Sequence, residues 1–421
     1  MFKKTFLKNG LRIITAPMEG TQTVTVLVLV GTGSKYETKE INGLSHFLEH
    51  MFFKGTKKRP NTLALAETLD RVGGEYNAFT SQEMTGYWTK VDAGHLDLAL
   101  DWVSDIFLNS KLKEKEIEKE RGVILEELNM YLDTPIKYVG DLWTDLLYGD
   151  QPAGWRVIGT KEAIKSVKRP WFVNYLKEHY LAKNTLITVA GKIDSNDTIK
   201  KIEKYFSKIK LGQPKTKLKV KEKQSRPEVL VHYKKTDQTH LYLGVRGYNI
   251  FHPDKYALGI LATILGGYMS SRLWIRVRER EGLGYYIRTG AETDTDSGYL
   301  ATRAGIDNQR VDRAIKLILD EYKRIREKKV GLQELKKAKD NIKGGTLLEM
   351  ESSDAQASFF AGQEILTKEI LTLEEKFAKI DKVTSDDILR VAKDIFRPEK
   401  LNLALIGPFK DKRRFENILG L

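Results

Sequence analysis

The order of predicted strands and helices occurs twice along this 421-residue chain, and this repeat constrains the fold more than any other feature. The first copy begins with a strand at residues 23–30, continues through two helices, two strands and one further helix, and ends with a charged helix at 113–132. The second copy follows the same order from residues 240–246 to 332–349. A buried strand closes each copy, at 184–191 and at 401–407. Such a repeat predicts two similar domains of ordinary size.

The mixture of strands and helices within each copy indicates the α+β class. We expect each domain to have a mixed or antiparallel sheet with helices packed on one face. Residues 212–223, between the copies, are polar and basic without helical periodicity, which is typical of a linker. The predicted boundaries are therefore a first domain at 1–212, a linker at 213–227 and a second domain at 228–421.

Amino-acid composition limits the kinds of site that the chain can build. There are no cysteines, so disulfides and thiolate metal sites are excluded, and a metal would need His and carboxylate ligands. The first ten residues lack the apolar run of a signal peptide, and the apolar stretch at 24–30 is too short to span a membrane. We expect a soluble cytoplasmic protein with no membrane partner.

A formal net charge of +14 raises the possibility of a nucleic-acid partner. The Lys and Arg residues, however, alternate with Glu and Asp along helices, as in 111–121 and 324–339. They do not form a basic stripe with interleaved aromatic residues, so solvated helix faces explain them better. Nucleic-acid binding is therefore a minor alternative, and we expect no nucleic-acid partner.

A short motif on the first predicted helix carries the strongest chemical signal. It reads His46-Phe-Leu-Glu49-His50, and these two histidines are among only 7 in the chain. Positions i and i+4 share one face of a helix, so both imidazoles can contact one metal ion. Glu49 lies at the edge of that face, where its carboxylate can reach a water on the metal without being a ligand. The inverted spacing is a known metallopeptidase signature.

The third ligand of such a site has to come from elsewhere, because catalytic zinc has three protein ligands and one open position. The charged helix offers Glu120 and Glu127, which are seven residues apart and therefore share a face. Glu126 points about 100° away and is the weaker candidate.

The segment Gly43-Leu-Ser-His-Phe-Leu-Glu-His-Met-Phe-Phe-Lys-Gly-Thr56 strongly resembles the pitrilysin/insulinase family of zinc metallopeptidases, in its mitochondrial-processing-peptidase-like branch. The segment from Glu120 to Glu127 is similar to the distal ligand segment of that family. The resemblance extends over essentially the whole chain. It implies that His46, His50 and Glu127 hold one Zn²⁺ per chain, that Glu49 is the catalytic base, and that Glu120 supports the ligands. Mn or Co could replace zinc at such ligands.

Two further segments gain a role from the same resemblance. Asn77, Ala78 and Thr80 match an edge strand that binds the substrate as an added β-strand. Arg278 and Tyr285, in the second half, match a pair that orients the substrate and stabilises the oxyanion. The second half itself has no metal motif, and would form a substrate wall.

The resemblance implies a zinc endopeptidase that hydrolyses unfolded peptides. Longer relatives join two such two-domain halves into a clamshell, so this chain would be one half and would form a homodimer with a closed chamber. The alternative is a catalytically silent, peptide-binding or chaperone-like subunit of a heterodimer. A complete ligand set together with Glu49 favours the enzyme, since a structural zinc site needs no base.

Overall fold

The computed structural model describes residues 2–419 and contains two mixed β-sheets with helices around them. The strands are β1 (Lys3–Phe6), β2 (Arg12–Pro17), β3 (Thr23–Val30), β4 (Glu75–Thr80), β5 (Thr85–Asp92), β6 (Thr185–Gly191), β7 (Glu228–Tyr233), β8 (Gln238–Arg246), β9 (Gly284–Thr293), β10 (Gly298–Asp307) and β11 (Leu401–Gly407).

The α-helices surround these strands and are numbered along the chain. They are α1 (Leu44–Met51), α2 (Thr62–Asp70), α3 (Leu96–Asn109), α4 (Glu114–Asp133), α5 (Pro135–Tyr148), α6 (Lys161–Ser166), α7 (Arg169–His179), α8 (Ser195–Tyr205), α9 (Lys255–Gly266), α10 (Val311–Glu327), α11 (Leu332–Glu349), α12 (Ser353–Thr367), α13 (Leu373–Asp381), α14 (Ser385–Ile395) and α15 (Arg413–Glu416). Residues Trp274–Glu279 form a π-helical turn, and short 3-10 turns cover Ser34–Tyr36, Lys39–Ile41, Ala93–His95, Ala182–Asn184 and Pro398–Lys400.

Both sheets have the same strand order, which confirms two similar α+β halves. The first sheet runs β1-β2-β6-β3-β5-β4 and the second runs β7-β11-β8-β10-β9. If the additional edge strand β1 is set aside, the two orders match strand for strand. In each sheet one pair is parallel, β2 with β6 and β7 with β11, and the other pairs are antiparallel.

The first sheet is covered by helices on both faces. Neighbouring residues of a strand point to opposite faces. Tyr87 stacks on Phe52 beside α1 and contacts Phe107 of α3. The next residue, Trp88, packs instead in a cluster with Phe360 of α12. The helices of the first half thus cover one face, as the sequence predicted, and α12 from the second half covers the other.

The second sheet has the reciprocal arrangement. Leu241 and Leu243 of β8 pack in the main core of that half with α9, α10 and α14. Between them in the strand, Tyr242 points the other way and packs with Trp143 of α5, a helix from the first half of the chain. Each sheet is therefore completed by one helix whose sequence lies in the other copy of the repeat.

The two compact units are consequently discontinuous in sequence. Unit 1 contains the described residues through Asn129, Trp155–Leu218 and Leu347–Ile370, and unit 2 contains Met130–Gly154, Lys219–Thr346 and the described residues from Leu371 onward. No helix or strand crosses residues 213–227, where a linker was expected. In the described part of the chain, no helix has both the length and the apolar composition needed to cross a membrane.

Candidate metal centre

Helix α1 of unit 1 presents the His46-Phe-Leu-Glu49-His50 motif, and the buried residue Glu37 fixes its first turn. The Glu37 carboxylate accepts hydrogen bonds from the backbone N–H groups of Gly43 and Ser45, at 2.7 Å each, and from the Ser45 hydroxyl at 2.5 Å. These bonds satisfy donors that a helix N-terminus leaves open. Gly43 has a φ of 93°, and a Cβ there would lie 2.4 Å from the Ile158 carbonyl oxygen, so glycine is required.

Three side chains converge beside this helix. The imidazole rings of His46 and His50 are 4.7 Å apart between centroids. The Nε2 atoms of these rings lie 3.7 and 3.5 Å, respectively, from Oε2 of Glu127 on α4. One ligand atom from each residue falls within 4.8 Å of the others. Glu126, the weaker candidate, is exposed, whereas Glu127 is half-buried next to the histidines.

The carboxylate of Glu120 orients His50 from the side away from Glu127. Its Oε1 lies 2.9 Å from His50 Nδ1, and its Oε2 lies 2.6 Å from the ammonium group of Lys54. Burial acts to lower the pKa of His50, but the contacts with Glu120 and Glu127 outweigh it and raise the pKa to about 9. Burial, followed by the charge of His50, lowers the pKa of His46 to about 4. The two histidines are thus electrostatically unequal before any metal binds.

Glu49 is not part of this three-residue cluster. Its carboxylate is held instead by a residue of strand β4. Its Oε2 accepts a hydrogen bond of 2.7 Å from the hydroxyl of Thr80, the last residue of β4. Burial raises the pKa of Glu49, against the lowering effect of the Thr80 bond. The Thr80 bond orients Oε2, and the second carboxylate oxygen, Oε1, accepts no hydrogen bond from the described residues.

The residues present fit a zinc ion. Two imidazole nitrogens and one carboxylate oxygen are the donor set of catalytic zinc sites that keep one position open. Zinc–ligand bonds of about 2.0–2.1 Å at a tetrahedral angle place two ligand atoms about 3.3 Å apart. The separations of 3.5 and 3.7 Å to Glu127 are near that value and longer than usual hydrogen bonds. His50 also has the carboxylate partner that metal-binding histidines usually have.

The predicted substrate strand, β4, lies at one edge of the first sheet. It pairs with β5 only, so its outer backbone groups face no other strand of the sheet. Asn77 is exposed, and its Oδ1 accepts a 2.8 Å bond from the N–H of Ala78. The same strand thus contains Asn77 and Ala78 in its middle and, at its end, Thr80 in contact with Glu49.

Arg278 and Tyr285 belong to unit 2 and contact each other there. The Arg278 guanidinium lies 4.2 Å from the ring centre of Trp274 and 5.2 Å from that of Tyr285. Tyr285 is 76% exposed. Arg288 stacks on Trp274 as well, at 4.6 Å. Arg278 is therefore held between two aromatic rings, one of which is open to solvent.

Sequence reasoning did not find three of the contacts that support the site. The sequence predicts no role for Glu37 or Lys54, and it predicts substrate binding for Thr80 but not the bond to Glu49. Glu37 precedes the helix by several residues, so only the irregular path of residues 37–43 brings it under the first turn. No local sequence pattern therefore indicates that Glu37 caps this helix.

The chain matches known proteins along nearly its whole length. Residues 12–161 match the model described as insulinase (peptidase family M16), and residues 167–342 match the peptidase M16 inactive domain. The uncharacterized zinc protease YmxG of Bacillus subtilis is 36% identical over 97% of this chain and 98% of its own length. An uncharacterized zinc protease of Streptomyces coelicolor is 32% identical over 98% of this chain and 90% of its own.

Solved structures with the same fold are similar along nearly the whole chain. A protease from Helicobacter pylori superposes with a TM-score of 0.90 at 25% identity, over 97% of this chain and 99% of that one. A peptidase M16 inactive domain from Pseudomonas fluorescens has a TM-score of 0.89 at 16% identity, over 97% and 98% of the two chains. The second match supports the fold alone.

Proposed function

Because the chain belongs to the insulinase family of peptidases, family M16, we propose that it is a zinc-dependent endopeptidase that hydrolyses unfolded peptides. The observation that carries this proposal is the convergence of His46, His50 and Glu127, with Glu49 beside them. The names of the zinc-protease relatives support the choice of metal and reaction.

In the proposed reaction the protein residues position the water and move its proton. When bound, zinc supplies Lewis acidity that activates water and polarises the scissile carbonyl. Glu49 Oε1 accepts a proton from the attacking water while Thr80 holds Oε2. As the C–N bond breaks, Glu49 returns that proton to the leaving amine, so the carboxylate is regenerated. One water is consumed, and a new carboxyl and a new amino terminus are formed.

We propose that β4 binds the peptide by adding it as a further strand. An edge strand offers backbone donors and acceptors in a row, which bind extended peptides largely independently of their sequence. Because Thr80 ends this strand and touches Glu49, a peptide paired along Asn77 and Ala78 would run toward the catalytic carboxylate. This arrangement suits unfolded substrates, because a folded chain has its backbone groups already paired.

Metal removal and return test the enzymatic proposal. The purified protein is incubated with an unstructured basic peptide before chelation, after chelation, and after addition of one equivalent of zinc. Cleavage should be lost and then restored, and His46→Ala should neither retain zinc nor regain activity. Cleavage that persists in fully metal-free protein would contradict the proposal. A zinc-loaded protein that binds but never cleaves peptides would favour the silent-subunit alternative.

We further propose that the enzyme acts as a homodimer in which Arg278 and Tyr285 of one protomer serve the Glu49 site of the other. Mixing two inactive variants, Glu49→Gln and Arg278→Ala, tests this directly. In a mixed dimer one site would combine an intact Glu49 with an intact Arg278, so random exchange should restore about a quarter of wild-type activity. No recovery after verified subunit exchange, or full activity of a dilute monomer, would contradict it.

A further inference from the structure

Unit 2 contains a strongly basic cavity that the proposed peptidase reaction does not use. Its volume is about 460 Å³, and it lies between the end of α10 and the segment around the π-helical turn. Within the described residues its wall carries a single acidic side chain, Glu321, and six basic ones: Arg272, Arg276, Arg280, Arg324, Lys328 and Lys329.

Part of this positive charge is fixed in place by acidic neighbours. Glu321 is only 3% exposed, and its Oε1 accepts bonds from Arg276 at 2.8 Å and from Arg324 at 3.0 Å. Arg272 forms a bidentate ion pair with Glu334: its Nε and Nη2 donate to the two carboxylate oxygens at 2.8 and 2.7 Å. A guanidinium has five N–H donors, so these contacts orient the arginines while leaving donors for another anion.

Of the other three basic side chains, Lys329 pairs with Asp386 at 2.6 Å, and two are not compensated. In the described part of the chain neither Arg280 nor Lys328 has an acidic group within 4.0 Å, and both are exposed at the cavity. Ser271 is on the same wall and only 1% exposed, yet its hydroxyl has no hydrogen-bond partner among residues 2–419. A buried hydroxyl usually has a partner, so a ligand oxygen would satisfy it.

The volume and the basic lining of the cavity suit a small anion. Planar guanidinium groups recognise phosphate oxygens through paired N–H donors. A concave site of this volume is of the size that holds a small molecule, whereas an extended nucleic-acid strand needs a groove or stripe of positive charge. We propose that this cavity binds a phosphate-bearing anion of diphosphate size, held by Arg276, Arg280 and Lys328 with Ser271 as an additional donor.

Anion binding in this cavity would act on the π-helical turn that carries Arg278. Arg276 lies within the π-helical turn Trp274–Glu279, and Arg280 directly follows it. Arg278 is on the same turn, and π-helical turns are rare and frequent at functional sites. An anion that joins Arg276 to Arg280 would restrain the turn that carries Arg278. Binding itself does not depend on peptidase activity.

Calorimetric titration of the full-length protein with sodium pyrophosphate at constant ionic strength tests the proposal. We expect one site per chain, and an affinity at least about tenfold weaker in the double variant Arg280→Glu, Lys328→Glu. Lys200→Glu, an exposed lysine on α8, makes the same charge change as Lys328→Glu and should leave binding unaltered. Ser271→Ala should weaken binding without altering the unfolding temperature, because its hydroxyl has no partner to lose.

Pyrophosphate also chelates zinc, but loss of metal from α1 would affect all variants equally, so only the difference between them counts. Equal affinities in the wild type, the double variant and Lys200→Glu would overturn the proposal, as would equal binding of sulfate. An adenosine diphosphate titration identifies the source of the anion. Binding as tight as that of pyrophosphate would indicate a nucleotide, and much weaker binding a free anion.

Discussion

At the scale of single residues, the carboxylate of Glu49 depends on one side-chain hydrogen bond for its orientation. The donor is Thr80 Oγ1, at 2.7 Å, and Thr80 is also the terminal residue of the edge strand. This bond links the proposed peptide-binding strand to the proposed base. A positioned base works only if its proton-accepting oxygen stays within reach of the water.

Replacement of Thr80 by valine removes this bond and keeps the side-chain volume. A hydrogen bond to a charged group contributes about 1.5–3 kcal/mol, so kcat should fall by about tenfold to a hundredfold. Zinc content should be unchanged, and KM should change little. Thr80→Ser keeps the hydroxyl and should retain most of the activity. If valine raises KM and leaves kcat intact, Thr80 acts on substrate binding and not on Glu49.

Glu120 supports the metal through His50 without joining the ligand cluster. Glu120→Gln removes the negative charge that orients this imidazole, and changes to such partners typically weaken metal binding by about 10–100-fold. Competition with a chromogenic chelator measures the affinity. Glu126→Gln, an exposed neighbour on the same helix, is the matched control and should have no effect. An equal loss of affinity in both variants would contradict the assigned role.

The histidine pair was predictable because helical spacing alone places His46 and His50 on one face. The choice of Glu127 over Glu120 needed the family resemblance, since both carboxylates share a helix face. The bond between Thr80 and Glu49 joins residues 31 positions apart. No local pattern reports such a contact, because it depends on how β4 packs beside α1.

At the scale of elements, helix α12 is attached to the first sheet by a buried charge cluster. Glu364 is 1% exposed and accepts hydrogen bonds from Arg12 of β2 at 3.1 Å and from Lys4 of β1 at 2.6 Å. Phe360 and Ile365 of the same helix pack in the apolar cluster on this sheet. Because the ion pair is buried, removal of one partner leaves an uncompensated charge and destabilises the folded protein.

Glu364→Ala should therefore destabilise the protein by about 3–5 kcal/mol, because it leaves Arg12 buried without its partner. Denaturant unfolding measures the change. Glu118→Ala is the control: Glu118 is 69% exposed and pairs with Arg121 on the surface, so its loss should cost less than about 1 kcal/mol. A cost of Glu364→Ala below 1 kcal/mol would show that this cluster does not hold the helix.

Elements with strong periodicity were predicted well, and those that depend on distant partners were not. The bounds of α4 and α11 agree to within one residue with the predicted helices at 113–132 and 332–349. Helices α5 and α12 were not predicted, because each packs on a sheet from the other copy of the repeat. Residues Trp274–Glu279 form a π-helical turn, which side-chain periodicity does not distinguish from an α-helix.

At the scale of the whole molecule, the two copies of the repeat complete each other. Leu27 and Leu29 of the first sheet pack against Ala357 and Ala361 of α12, which lies far outside the first copy. A fragment that ends at residue 212 would expose this face. The repeat visible in the sequence therefore predicts the two sheets but not which helices cover them.

Residues 1–212 expressed alone should accordingly lack a cooperative unfolding transition and should bind a hydrophobic dye or aggregate. The full-length chain, treated identically, is the control. A monomeric fragment with a sharp transition and no dye binding would show that the first half folds without α12. The boundary at residue 212, predicted from the sequence, would then describe an independent folding unit.

The role of Glu49 is tested by comparing the wild type with Glu49→Gln in zinc content and in cleavage of an unstructured basic peptide. We expect one zinc per chain in both proteins, because Glu49 is not a ligand. We expect cleavage by Glu49→Gln to be lower by about 10²–10⁴-fold, since the base is lost. Equal cleavage by both proteins would contradict the role of Glu49, and zinc in both with cleavage by neither would contradict the proposed peptidase activity.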